Sequence, residues 1–235
     1  MTRRRWIADE FSADRAALTG EHAAHLARTL RARAGQEFEV ACGDQVRHAT
    51  VTSVADNRVE FTLGPEVATQ TATPITLLLA IFKFDRMEWA IEKCTELNVT
   101  TIVPVIARRT EKYLALAADK RAERWRRIAR EASEQSRRIT PPEIADPVKL
   151  AEALKVKAGL RIVLAETELE IGLNELLRSR ETESLALAIG PEGGWTEDEL
   201  RSFASSQWIA ASLGETILRA ETAAIAALAI ARSEP

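Results

Sequence analysis

From residue 75 onward the chain alternates short apolar runs with amphipathic helical stretches, and that alternation leaves few folds open. Residues 75–82 are continuously apolar, as in a strand covered on both faces. Residues 86–97 then place Met87, Ala90, Ile91, Cys94 and Leu97 on one helical stripe. The pattern recurs through strands at 100–107, 160–165, 184–189 and 208–213, with helices at 119–137, near 173–178, from Thr196, and finally to Arg232. Strand and helix in turn predict an α/β fold with a parallel sheet.

The first 70 residues read differently. Segments 6–11, 37–41, 47–54 and 58–63 look like short strands, with Gly43-Asp44 and Asp56-Asn57 as turns and one helix near 21–33 ending at Gly35. A small antiparallel barrel or sheet is expected. Residues 64–74, GPEVATQTATP, are polar and proline-bounded, so the boundary is set between a domain at 1–72 and another at 73–235.

Composition excludes several classes. With 46% apolar and 29% charged residues the chain is globular rather than disordered. No apolar run approaches the roughly 18 residues of a membrane span, and the start lacks the apolar stretch of a signal peptide. Two cysteines cannot build a disulfide framework. A cytoplasmic protein is expected. His22 and His25 stand one helical turn apart without completing ligands, so no metal site is expected.

Charge is unevenly spread. The net charge is −3, yet residues 108–138 carry 11 basic and 5 acidic residues, whereas 139–235 carry 9 and 16. A basic stretch inside an acidic chain is what a phosphate backbone requires.

Two strand-end loops suggest a ligand site. Residues 190–195, GPEGGW, follow an apolar strand and precede a helix opened by Thr196 and Glu199, a capping-box pair. Glycines there let a ligand approach the backbone, and open α/β sheets bind ligands at that edge. No Gly-Lys-Ser/Thr follows, and G-x-G-x-x-G spacing is missing, which argues against nucleotide triphosphates and dinucleotides. The second loop, 213–222, reads LGETILRAET before an Ala-rich helix. Glu192, Glu215 and Glu221 would disfavour a polyphosphate and tolerate a cation such as a sulfonium.

These motifs together resemble the bacterial 16S ribosomal RNA uridine-N3 methyltransferases of the SPOUT superfamily. The resemblance rests on Arg3 to Arg5, HLARTLRARAG at 25–35, DRMEWAIEKCTELNV at 85–99, EASEQSRR at 131–138, PPEI at 141–144, IGPEGGW and LGETILRAETA. Asn98 and Arg137 stand where that family usually has glycine. Asn tolerates positive φ. Arg137 either adds a phosphate contact or abandons a turn.

The resemblance implies an N-terminal PUA-like barrel and a C-terminal parallel-sheet domain with a trefoil knot, active as a homodimer. It implies S-adenosyl-L-methionine bound by Leu164, Ala165, Glu166, Ile189, Gly190, Pro191, Glu192, Gly193, Gly194, Leu213, Gly214, Ile217, Leu218 and Thr222. Methyl transfer to a uracil nitrogen needs its proton removed and the reactants aligned. Arg219 is expected to stabilise the uridine anion, and Glu192 or Glu221 to take the proton. Arg3, Arg4, Arg5, Arg28, Arg31, Arg108, Arg109 and Arg138 are expected on phosphates of 16S RNA, within the 30S subunit, with binding that weakens steeply in salt. The helix 119–137 turns Ala122, Trp125, Ile128, Ala129 and Ala132 inward and Arg121, Arg124, Arg127 and Arg130 outward; local glutamates are too few to neutralise it.

Overall fold

The computed structural model describes residues 5–68 and 72–233, so Arg3 and Arg4 lie outside the described residues. The chain divides into two compact units, one formed by residues 1–71 with 130–141, the other by 72–129 with 142–235.

The first unit holds β1 (Trp6–Ile7), β2 (Glu10–Phe11), β3 (Arg15–Thr19), β4 (Glu37–Cys42), β5 (Gln45–Ala55) and β6 (Arg58–Glu66), ordered β1-β4-β5-β6-β3-β2. Pairing is antiparallel except between β1 and β4. Gly43-Asp44 and Asp56-Asn57 are two-residue hairpin turns, since Cys42 pairs with Gln45 and Ala55 with Arg58. The helix is shorter than its periodicity suggests. α1 (Gly20–Ala24) passes into a π-helical turn, His25–Thr29, and Arg31 then turns left-handed at φ 51°. β3 was not anticipated, because RAALT carries no alternation; it is recruited by five pairs with β6. Trp6, Leu18, Leu26, Val40, Val59 and Phe61 form the core.

The second unit begins with β7 (Ile75–Ala80), α2 (Phe84–Glu96), β8 (Thr101–Ile106), α3 (Lys112–Ala117) and a 3-10 turn at Asp119–Arg121. α4 (Ala122–Gln135) follows and runs from this unit into the first. Next come β9 (Glu143–Ile144), β10 (Val148–Lys149), α5 (Leu150–Ala153), β11 (Leu160–Leu164), α6 (Leu173–Arg178), β12 (Leu185–Ile189), α7 (Glu197–Ser205), β13 (Ile209–Ala211) and α8 (Ala220–Ser233). The sheet runs β10-β8-β7-β12-β11-β13, with β9 beside β8, and every pair is parallel. β9, β10, α3 and α5 escaped the periodicity because they are only two to six residues long.

The sequence LALAI of β12 explains the layering. Leu185, Leu187 and Ile189 pack with α2 and α8, whereas Ala186 and Ala188 lie on the other face with Trp195, Phe203 and Trp208. Small strand residues there leave room for bulky rings. Phe203 meets Trp195 and Trp208 edge-on, at centroid distances of 4.9 and 5.2 Å. Such pairs add about 0.5–1.5 kcal/mol each beyond area burial.

Asn98 and Arg137 both adopt the left-handed turn, at φ 61° and 62°. Arg137 thus keeps the turn a glycine would make, and its guanidinium bonds Glu39 at 2.7 Å. No helix of the described residues is long and apolar enough to cross a membrane.

Candidate active site

Because every strand of the second sheet is parallel, the loops leaving their carboxyl ends share one edge. There the loops after β11, β12 and β13 enclose a cleft of about 190 Å³, walled on one side by the start of α8.

The loop after β12 is fixed at both ends. Thr196 Oγ1 accepts the Glu199 N–H, and the Thr196 N–H donates to Glu199 Oε2 at 2.9 Å, completing the predicted capping box. The other carboxylate oxygen, Oε1, accepts the Arg108 N–H at 2.8 Å. Buried Glu199 therefore ties the end of β8 to this loop. Within the loop, Gly194 donates its N–H to the Pro191 carbonyl and turns at φ 68°, where an L side chain would be strained. Gly190 is required by close approach, since a Cβ would stand 3.3 Å from Trp195 Nε1 and 3.4 Å from Gly194 backbone.

All but one of the expected cofactor residues line this cleft: 164–166, 189–194, Leu213, Gly214, Ile217 and Leu218. Thr222 does not; it is exposed, one residue past the buried Glu221 on α8. Of the expected catalytic residues only Glu192 lines the cleft. Arg219 is exposed and makes no ion pair among the described residues. Glu221 is buried beside Arg86 of α2, with Nε 3.8 Å from Oε1 and no partner for Oε2. The helical turn that carries residues 219–222 presents Ala220 and Ala223 to the cleft instead.

The cleft is suited to a cation. Glu166, Glu192 and Glu215 line it, against Arg109 as the one basic side chain. Trp195 closes the inner side of the loop: its Nε1–H is buried behind Gly190 and has no hydrogen-bond partner among the described residues. Among the described residues no group of three His, Cys, Asp or Glu could hold a metal.

The chain's single tyrosine, Tyr113 on α3, lies outside the cleft lining. It is 59% exposed, and partial desolvation with the carboxylates of Glu111, Glu192 and Asp85 holds its phenol above the usual value.

The arginines expected on RNA separate into distinct environments. Arg5, expected on RNA, is only 9% exposed, and its guanidinium is held by Glu39 at 2.9 Å and by the Arg137 carbonyl. Arg28 and Arg31 are exposed, Arg28 pairing with Asp56 at 3.3 Å. Arg108 is exposed, and Arg138 donates to the Thr140 carbonyl. Arg109 belongs to the cleft wall. On the helix, Ala122, Trp125, Ala129 and Ala132 are buried and Ile128 partly so, but Arg121, Arg124 and Arg130 of the outward arginines, and Arg126 beside them, meet carboxylates. Arg121 and Arg124 pair with Glu88, Arg126 with Asp146, and Arg130 with Asp9. These acids come from other segments, which a local charge count omits.

Comparison with known proteins gives the family. Residues 69–232 match the family model of the RNA methyltransferase domain. The ribosomal RNA small subunit methyltransferase E of Rickettsia conorii is 34% identical over 92% of this chain and 88% of its own. That of Bacillus subtilis is 31% identical over 90% and 87%. The crystal structure of the Neisseria gonorrhoeae ribosomal RNA small subunit methyltransferase E bound to S-adenosyl methionine superposes with a TM-score of 0.85. It is 30% identical to this chain, and the match covers 97% of this chain and 96% of that one. A Legionella pneumophila putative methyltransferase in complex with the same cofactor matches at TM-score 0.85 and 28% identity, over 99% and 98%. A family model that matches residues 69–232, with relatives 31–34% identical over 90–92% of the chain, places the chain in the RNA methyltransferase family, with the ribosomal RNA small subunit methyltransferases E as its relatives.

Proposed function

We propose that this protein methylates N3 of a uridine in the 16S RNA of the small ribosomal subunit, using S-adenosyl-L-methionine. The observation that carries the reading is the cleft with its three carboxylates at the carboxyl edge of the sheet, in a fold shared with two cofactor-bound structures. When bound, S-adenosylmethionine supplies an electrophilic methyl group: the N3 lone pair forms the new N–C bond, the C–S pair stays on sulfur, and the N3 proton leaves to a base.

The protein's residues then have defined tasks. Glu166, Glu192 and Glu215 favour a sulfonium over a neutral or anionic ligand. The backbone of residues 190–194 and 213–218 holds the cofactor. Glu192 is the carboxylate placed to take the proton. Glu221, buried beside Arg86, has the part of anchoring the first turn of α8. In this reading the second unit is a SPOUT domain with a trefoil knot, the first a PUA-like RNA-binding barrel, and the protein a cytoplasmic homodimer. Arg28, Arg31, Arg108 and Arg138, with Arg3 and Arg4, supply phosphate contacts.

The test is methylation of free 16S RNA, 30S subunits and transfer RNA with labelled cofactor, followed by nucleoside mass spectrometry. N3-methyluridine in 16S RNA is expected. Label only in transfer RNA, or in no RNA, would overturn the reading.

A further inference from the structure

Resting on that reading, we infer that Arg109 is a catalytic residue, the cation that stabilises the deprotonated uracil imide as the methyl group arrives.

The charge of the cleft creates the need. Three carboxylates suit a sulfonium, but they oppose a second reactant that must become an anion beside them. Loss of the N3 proton spreads negative charge over N3 and the two flanking carbonyl oxygens, and a guanidinium offers a planar set of donors to such a group. Arg109 is the one basic side chain lining the cleft. Arg219, expected in this role, is outside the lining.

Arg109 is also held where it is needed. The Arg108 N–H is bound to Glu199, while Thr110 Oγ1 donates to the Ile81 carbonyl at 3.0 Å and accepts the Ala107 N–H at 3.1 Å, so the chain on both sides is fixed. The Arg109 stem lies along Gly193, with Cδ 3.1 Å from where a Cβ there would stand. One terminal nitrogen, Nη1, donates to the carbonyls of Gly193 and Trp195. Nε and Nη2 have no protein partner among the described residues. A cation clamped through one nitrogen and open at the others pays little reorganisation when charge develops. Its approach from β8, across β7 from the strands that form the rest of the cleft, sets it at the exposed rim where a second substrate enters.

The experiment compares wild type, Arg109→Lys and Arg109→Gln as full-length protein on 30S subunits. Calorimetry gives the affinity for S-adenosylhomocysteine and for 5′-methylthioadenosine, which lacks the amino-acid part. Single-turnover methylation at saturating cofactor is followed against pH. Arg109→Gln is expected to bind both nucleosides within about threefold of wild type and to lose roughly 10²–10³-fold in rate at neutral pH. The deficit should shrink in alkali, where the imide ionises unaided, and Arg109→Lys should recover part of the rate. An unchanged rate would overturn the inference. So would weakened S-adenosylhomocysteine with unchanged methylthioadenosine, which would assign Arg109 to the cofactor carboxylate. A salt-dependent rise in KM for RNA at unchanged kcat would make it a phosphate contact instead. If wild type forms no N3-methyluridine, the underlying reading fails before any variant is compared, and the inference falls with it.

Discussion

The strand-end cleft and helix α4 treat charge in opposite ways. In the cleft Glu166, Glu192 and Glu215 make no ion pair among the described residues, and Arg109 donates to carbonyl oxygens rather than to a carboxylate. Along α4 and just before it, Arg121, Arg124, Arg126 and Arg130 each meet a carboxylate brought from elsewhere in the chain. The charges that line the cleft are thus without ion pairs, whereas those of these four arginines are tied into the scaffold. A basic run in a sequence therefore overstates the positive surface that RNA encounters.

The largest expected effect comes from closing the cleft. Gly190→Leu would drive a side chain into Trp195 and the Gly194 backbone, and cofactor affinity should fall by about 100-fold, roughly 2.7 kcal/mol, in calorimetry. Unchanged affinity would separate the cleft from cofactor binding.

On the scaffold side, Arg5→Ala removes a charge-assisted hydrogen-bonding group from Glu39 and should cost about 2 kcal/mol of stability in denaturant titration. Arg137 first, with Arg5, holds the Glu39 carboxyl below the usual carboxylate range. Its contribution is complete above that range and is lost as pH falls through the lowered value. The stability gap between wild type and Glu39→Gln should accordingly be constant near neutrality and close on acidification.

The contrast between free and paired arginines sharpens in salt. Arg108→Gln should lower the slope of log affinity for RNA against log salt by about 0.7–0.9 for one lost phosphate contact, whereas Arg126→Gln, paired with Asp146, should leave it nearly unchanged. Equal slopes would mean that both are equally available to phosphate.

The smallest effect is expected at Arg137→Gly. Glycine relieves about 1 kcal/mol of left-handed strain at φ 62°, while loss of the half-exposed pair with Glu39 removes up to about 1 kcal/mol. The two nearly cancel, so the melting temperature should move by only a few degrees.

Much of the second unit was legible because its signals are local. Alternating apolar runs and stripes specify strands and helices, and parallel strands bring their carboxyl-end loops to one edge wherever those loops lie in sequence. That places residues 164–166, 189–194 and 213–218 together without any knowledge of contacts. The capping box of Thr196 and the left-handed turns at Asn98 and Arg137 are local in the same sense, because the neighbouring backbone decides them. What a helix turns toward is less accessible. Residues 219–222 belong to the motif, yet the phase of α8 sets Ala220 and Ala223 against the cleft and leaves Arg219 and Thr222 outside the lining.

The sequence by itself determined an α/β sheet, its strand-end loops, a β-rich first unit and the presence of an arginine-rich stretch. Only the tertiary structure decided which arginines are free. It set Arg5 on Glu39, gave Arg121 and Arg124 to Glu88, and brought Arg109 to the wall of the cleft. The reason is that backbone hydrogen bonding and periodicity act over a few residues, whereas ion pairing depends on distance in space and desolvation, which sequence separation does not measure.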